Sequence, residues 1–358
     1  MLKKQTLFVV GAGASFELGL PLGIKLAENI AAKLHFKFDY GRMTEGDDRF
    51  FSALQQKFPD GDILNNNLRA CARIKSGILL ARSIDNYIDA HKEDAKVASM
   101  GKLAIIDCIV KAEKSSKLYF DPHSSEYTFD TKKLDKTWIA ELVDLLFYGT
   151  PKSNIDRIFN NLSVISFNYD RCIQQALVLA LHTYYHFDTA TCFEIVNKLR
   201  IIYPYGSLGH FSQAQSAKAV PFGADIHPSY LFELSKNIRT YSEQLADIEL
   251  VSQISTEVEN AQNIVFLGCA YHPQNINILT SNNPNFEKNI YGTALGISDD
   301  GVAQKRLRLF YNLHFSSSIS RDSADLPHDS RINSFIKLEN ALGCFDLMQE
   351  YRHSLLHQ

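Results

Sequence analysis

The stretch LFVVGAGAS, residues 7–15, constrains the fold of this chain more than any other. Four apolar residues, the last two β-branched, run into a Gly-Ala-Gly turn. A second loop carrying Gly19, Pro21 and Gly23 follows, and LGIKLAENIAAKL (22–34) then sets Ile24, Ala27, Ile30, Ala31 and Leu34 at helical spacing. A buried strand over 5–10, a glycine turn and a helix, in that order, form the opening unit of a parallel α/β sheet.

The rest of that sheet is expected far along the chain. LSVISF (162–167), LRIIYPY (199–205), NIVFLG (263–268) and NIYGTALG (289–296) are short apolar runs that each end in a polar or glycine-bearing turn. Helical segments over 170–186, 239–259 and 302–312 separate most of them, which implies right-handed crossovers. Between the first strand and residue 162 lies helical sequence: ILLARSIDNYIDAHK (78–92), GKLAIIDCIVKAE (101–113) and TWIAELVDLLF (137–147) each carry an apolar stripe. The expected organisation is therefore an α/β core over 1–40 and 162–312, a helical insertion over 41–161, and a C-terminal loop with a closing helix over 313–358. The polar stretches 41–49 and 114–133 read as loops, Trp138 and TYYHF (183–187) as core packing, and FIKLENALGCFDLMQEY (335–351) as the closing helix.

Composition narrows the function. Lys and Arg number 37 against 40 Asp and Glu, a formal charge of -3 with no block of like charge, so neither nucleic acid nor a membrane surface is expected as a direct partner. Two lysines before an apolar run resemble the start of a secretory signal, but the run is short and Glu17 follows at once. No stretch reaches the roughly 18 apolar residues of a membrane helix. The six cysteines are scattered without close pairs, which fits a reducing cytoplasm.

Ligands of open parallel sheets sit outside the carboxyl ends of the strands, so four loops are the candidates: GAGAS, NYD, GSLGH and GCAYHPQN. The first can bring main-chain N–H groups to a pyrophosphate at a helix start, or be only a tight turn. It fits neither familiar phosphate motif, since Phe16 stands where a third dinucleotide-fingerprint glycine belongs and no Gly-Lys-Ser/Thr follows. In the second loop, Asn168 offers an amide for a ribose hydroxyl or a water, and Asp170 a carboxylate to steady a developing cation. Both residue types also serve as ordinary helix caps. His210 and His272 divide similarly between a role in the site and simple solvation.

Taken together the loops resemble the sirtuins. VVGAGASFELGLP looks like their NAD-binding loop, SFNYD stands at their Gln-Asn-Ile-Asp, YPYGSLG at their His-Gly, and IVFLGCAY at their later glycine turn, in the same order over roughly residues 5–300. ARSIDNYIDAHK, GKLAIIDCIVKAE and NIYGTALG are similar to the sirtuin-like NAD-consuming effectors of prokaryotic anti-phage defence. The two Cys-x-x-Cys pairs of the deacylase zinc are absent, and Gly19-Leu20-Pro21 continues into Leu22-Gly23-Ile24 instead of Asp-Phe-Arg, so neither zinc nor an acyl-lysine substrate is expected.

The resemblance implies a Rossmann-like sirtuin fold and cleavage of NAD, as substrate, to ADP-ribose and nicotinamide. It implies catalytic roles for Asn168, Asp170 and Tyr205, with His210 as a substitute base. Gly11, Ala12, Gly13, Ser15, Pro21, Gly206, Ser207, Gly268, His272, Gly292 and Thr293 would bind the dinucleotide. At the position of the family's catalytic histidine stands Tyr205, a phenol whose ordinary pKa near 10 makes it a poor base. The cleavage passes through an oxocarbenium-like state that asks mainly for positioning, so the site either works without that base or is silent. A silent site would make the chain a sensing module for NAD or an ADP-ribose derivative. A dinucleotide-dependent oxidoreductase is disfavoured by the missing third glycine and ribose-binding acid. A defence effector of this kind depletes NAD in the infected cell and is held off by self-assembly, as a homo-oligomer, or by a regulatory or sensor protein of the same system.

Overall fold

The computed structural model describes residues 2–121, 127–213, 219–280, 288–314 and 334–357. Six strands form one all-parallel sheet: β1 (Thr6–Val10), β2 (Leu162–Ser166), β3 (Arg200–Ile202), β4 (Asn263–Leu267), β5 (Asn289–Thr293) and β6 (Ile336–Glu339), in the spatial order β6-β5-β4-β1-β2-β3. With helices on both faces, the architecture is α/β and Rossmann-like. β1 is central, with Phe8 opposite Val164 of β2 and Val265 of β4. The chain builds outward from β1 to β3 on one side and then returns to build β4 to β6 on the other. The order therefore reverses between β1 and β4, where a crevice opens at the carboxyl ends.

Two-residue alternation divides β1 between two cores. Phe8 and Val10 face the helices Trp138–Phe147, Cys172–Tyr185 and Cys344–Glu350, while Leu7 and Val9 face Ile248–Asn260 and Asp299–His314. A third core joins Gly23–Lys33 to the helices Asp48–Lys57, Gly61–Gly77, Ile84–Ala90 and Ala95–Lys114. Lys37–Asp39 and Arg42–Glu45 form a small antiparallel hairpin, so part of the expected loop over 41–49 is strand.

Packing cuts across the expected boundaries. Trp138–Phe147, expected in the insertion, lies on the sheet, where the Trp138 indole N–H donates to Ala14 O at 2.9 Å. Tyr205, Leu208, Val220, Leu231 and Ile238, expected in the core, pack with the insertion helices instead. In TYYHF, Tyr185 is buried while Tyr184 is exposed. The expected closing helix is half wrong: Ile336 and Leu338 are buried in alternation and pair with Ile290 and Gly292, so this segment is the edge strand β6. Gly343 then starts a separate helix, Cys344–Glu350. The polar loop expected before it lies largely outside the described residues.

Lys288 holds one sheet-flanking helix in place. Its fully buried ammonium donates to Val258 O, Glu259 O and Ala261 O at 2.7–2.8 Å, closing the carboxyl end of Ile248–Asn260, where the helix dipole favours a cation. Lys288→Met strands these carbonyls in an apolar setting, so the variant is expected to lose about 3 kcal/mol in chemical denaturation. A loss below about 0.5 kcal/mol would show that the carbonyls find other partners.

Candidate functional site

Three strand-end loops converge on a cavity of about 880 Å³. Its floor is the contact between the turn after β1 and the turn after β4. Gly11 N donates to Leu267 O at 2.9 Å, Gly13 N to Gly268 O at 3.0 Å and Ala14 N to Gly11 O at 3.0 Å. Most of the amides expected to cradle a pyrophosphate are thus engaged within the protein. The glycines have a packing reason instead: a Cβ on Gly11 would lie 2.6 Å from Gly268 O, and one on Gly13 2.8 Å from Gly268 Cα. Gly268 has φ +63, and a Cβ there would overlap Gly13 and the Ala14 amide. Its N–H donates to Thr293 Oγ1 at 2.8 Å.

The loop after β2 supplies a buried polar network. The Asn168 side-chain amide donates to Gly11 O at 3.0 Å and to Ser15 Oγ at 2.8 Å, and Ser15 Oγ donates to Asp170 Oδ2 at 2.8 Å. Asp170 Oδ1 accepts from Cys172 N at 3.1 Å, so Asp170 also closes the start of Cys172–Tyr185. Asn168 Oδ1 accepts no hydrogen bond among the described residues, and Asn168 lines the cavity. Arg171, which follows Asp170, is completely buried and clamps this loop to the helical layer: its guanidinium donates to both oxygens of Glu113, at 3.1 and 2.6 Å.

Tyr205 lines the cavity but is tied down. Its hydroxyl donates to Asn275 Oδ1 at 2.7 Å, and its ring packs near Phe167 and Tyr169. Burial, and then the nearby Asp85 carboxylate, push the phenol above its ordinary range, further from that of a base at neutral pH.

Ala12, Pro21, His272 and Thr293 also line the cavity. Burial, then Arg82 and Lys305, hold His272 below the ordinary imidazole range, so it is neutral at pH 7. Four expected site residues fall elsewhere. His210 is exposed on the short strand His210–Phe211, which pairs with Ala219–Val220, and it is not part of the cavity lining. Gly206 and Ser207 lie outside the lining: Gly206 is glycine because it turns at φ +79 against the Asn237 carbonyl. Gly292 sits within β5, where a side chain would strike Tyr271 and Leu338.

The sequence reading missed the cavity wall supplied by the helical layer. Arg82, Asp85 and Asn86 come from ARSIDNYIDAHK, and Gln274, Asn275 and Lys305 from the far side. Asn86 Nδ2 donates to Gln274 Oε1 at 2.7 Å and so joins the two walls. The signal was present in the polar residues of a helix start, Ser83 and Asp85 with Asn86, but its position over the cavity depends on tertiary packing. Among the described residues no cluster of His, Cys, Asp or Glu could hold a metal, and no helix is long and apolar enough to cross a membrane. No protein-family model matches the chain, and no curated protein matches it.

Proposed function

We propose that this chain is a sirtuin-like NAD hydrolase that releases nicotinamide and ADP-ribose. The observation that carries the reading is the convergence of the Gly11 turn, the Asn168–Asp170 network and the Gly268 turn on one cavity at the sheet's reversal point. Its volume lies within the range of small-molecule and cofactor pockets. Asn168, with its amide nitrogen fixed and its oxygen open, would orient a ribose hydroxyl or the attacking water. Arg82 and Lys305, cations on the cavity wall, suit the dinucleotide's phosphates better than the engaged turn amides do.

The same resemblance supports a role in anti-phage defence by NAD depletion in the cytoplasm, restrained by self-assembly or by a regulatory protein of the same system. Incubating the purified protein with NAD and quantifying free nicotinamide by chromatography tests the reaction; unchanged NAD would overturn it.

A second reading, an NAD- or ADP-ribose-sensing module, is favoured by one observation: the residue at the histidine position is a buried, engaged phenol. Tyr205→Phe separates the two. In the hydrolase reading Tyr205 positions Asn275 through one hydrogen bond, so turnover falls no more than about tenfold and NAD affinity holds. A loss of a hundredfold or more would assign the hydroxyl a direct part in the chemistry. Tyr205→His bringing turnover to a protein otherwise without it would establish the sensor.

A further inference from the structure

We propose that Asp85 is the general base of this site, accepting the proton of the water that attacks the nicotinamide ribose. The inference rests on the hydrolase reading above and supplies the base that Tyr205 does not. Asp85 lies in the first turn of Ile84–Ala90, whose start is fixed by Ser83 Oγ accepting from Asn86 N at 3.2 Å. Its Oδ1 accepts from the hydroxyl of Tyr169, the residue between Asn168 and Asp170, so the carboxylate is held against the loop that carries the polar network. Asp85, Tyr169 and Asn168 all line the cavity.

The other groups in reach are less suited. Both Asp170 oxygens are engaged, by Ser15 and by the Cys172 amide. His272 is grouped with Arg82 and Lys305 in a setting for anions. Asp85 has lone pairs to spare, since a carboxylate accepts about four hydrogen bonds and this one has the Tyr169 hydroxyl and its own backbone N–H. Among the described residues no cation pairs with it.

The surrounding charges leave it unneutralised. Asp89, on the same helix, is held by Ser242 N at 3.3 Å, and Glu243 pairs with Lys102 at 2.6 Å. Tyr169 and Tyr205 contribute phenols that burial holds above their ordinary range, Tyr241 lies beside Tyr205, and Arg82 and His272 stand on the cavity wall. Burial, opposed by the Tyr169 hydrogen bond and reinforced by Asp89, lifts the carboxyl to about 6, which suits a base working near neutrality.

In the step, the water oxygen bonds to the ribose C1′ as the C1′–N bond breaks. The bonding pair passes to the pyridinium nitrogen, giving neutral nicotinamide, and the water proton passes to Asp85 and then to solvent.

The test compares wild type, Asp85→Asn, Asn168→Ala and His272→Gln for nicotinamide release across pH, with and without azide. Azide is an anionic nucleophile that needs no deprotonation. Asp85→Asn keeps an acceptor for Tyr169, so it is expected to bind NAD with unchanged affinity and to melt no lower than wild type at pH 7. It should lose about a hundredfold in turnover with water and recover with azide, forming the azido sugar, whereas Asn168→Ala does not recover. The wild-type rate should fall below pH 6, a limb that persists in His272→Gln and vanishes in Asp85→Asn.

The proposal is overturned if Asp85→Asn keeps the wild-type rate or its acid limb, or if the limb vanishes in His272→Gln. It is also overturned if Asp85→Asn loses NAD binding or stability with no recovery in azide. Failure of the hydrolase reading itself is read on the wild type alone, as NAD left intact.

Discussion

Asn168→Ala is expected to lower nicotinamide release by about a thousandfold while leaving the protein folded, because a positioned polar group in a closed site contributes on that scale. The side chain joins three parts of the site, holding the Gly11 carbonyl and the Ser15 hydroxyl while its own oxygen faces the cavity. Alanine removes the open oxygen and loosens Ser15, so Asp170 keeps its hold on Cys172 but its tie to the glycine turn weakens. The structural cost is about 1–2 kcal/mol for two buried hydrogen bonds, which one domain-sized core tolerates. Turnover and urea denaturation on the same preparation check both parts. Activity within about threefold of wild type would remove Asn168 from the chemistry.

Gly268→Val is expected to abolish folding of the site altogether. At φ +63 any branched side chain is strained, and here the Cβ would also overlap Gly13 and the Ala14 amide. Backbone on both sides leaves nothing flexible to give way, so the loss exceeds about 4 kcal/mol, and the variant is recovered aggregated or melts far below wild type. Gly11→Val and Gly13→Val follow the same course through the opposite face of the contact. Gly23→Ala is the control: an added Cβ there meets nothing within 4 Å, and it should fold normally. A stable Gly268→Val protein would show that the two turns need not touch.

Those glycines also show which parts of the structure the residues themselves announce. The strand, turn and helix around Gly11 are legible because a buried strand and its following turn are coded locally, and all five expected strands are present within a few residues. The reason for the glycines is not legible. The turn looks like a phosphate cradle in sequence, and only the arrival of Gly268, more than 250 residues later, reveals that each glycine makes room for the other turn's backbone. The edge strand β6 was missed because IKLEN continues into a strongly helical segment, and its two-residue alternation is short.

At the site, Asn168 and Asp170 could be picked out because they follow a strand end directly. Asp85 could not, because its helix start reads as ordinary capping sequence until Tyr169 comes to lie against it. His210 falls outside the cavity lining for the complementary reason: closeness in sequence to Tyr205 does not carry across the turn at Gly206, and His210 lies exposed on a short strand.

The most direct measurement is the fate of NAD mixed with the purified wild-type chain over a range of protein concentrations, with Asn168→Ala in parallel. The account predicts nicotinamide and ADP-ribose appearing in equal amounts as NAD disappears, and neither product above background with Asn168→Ala. NAD remaining intact with wild type at every concentration, or equal product from the two proteins, would contradict it.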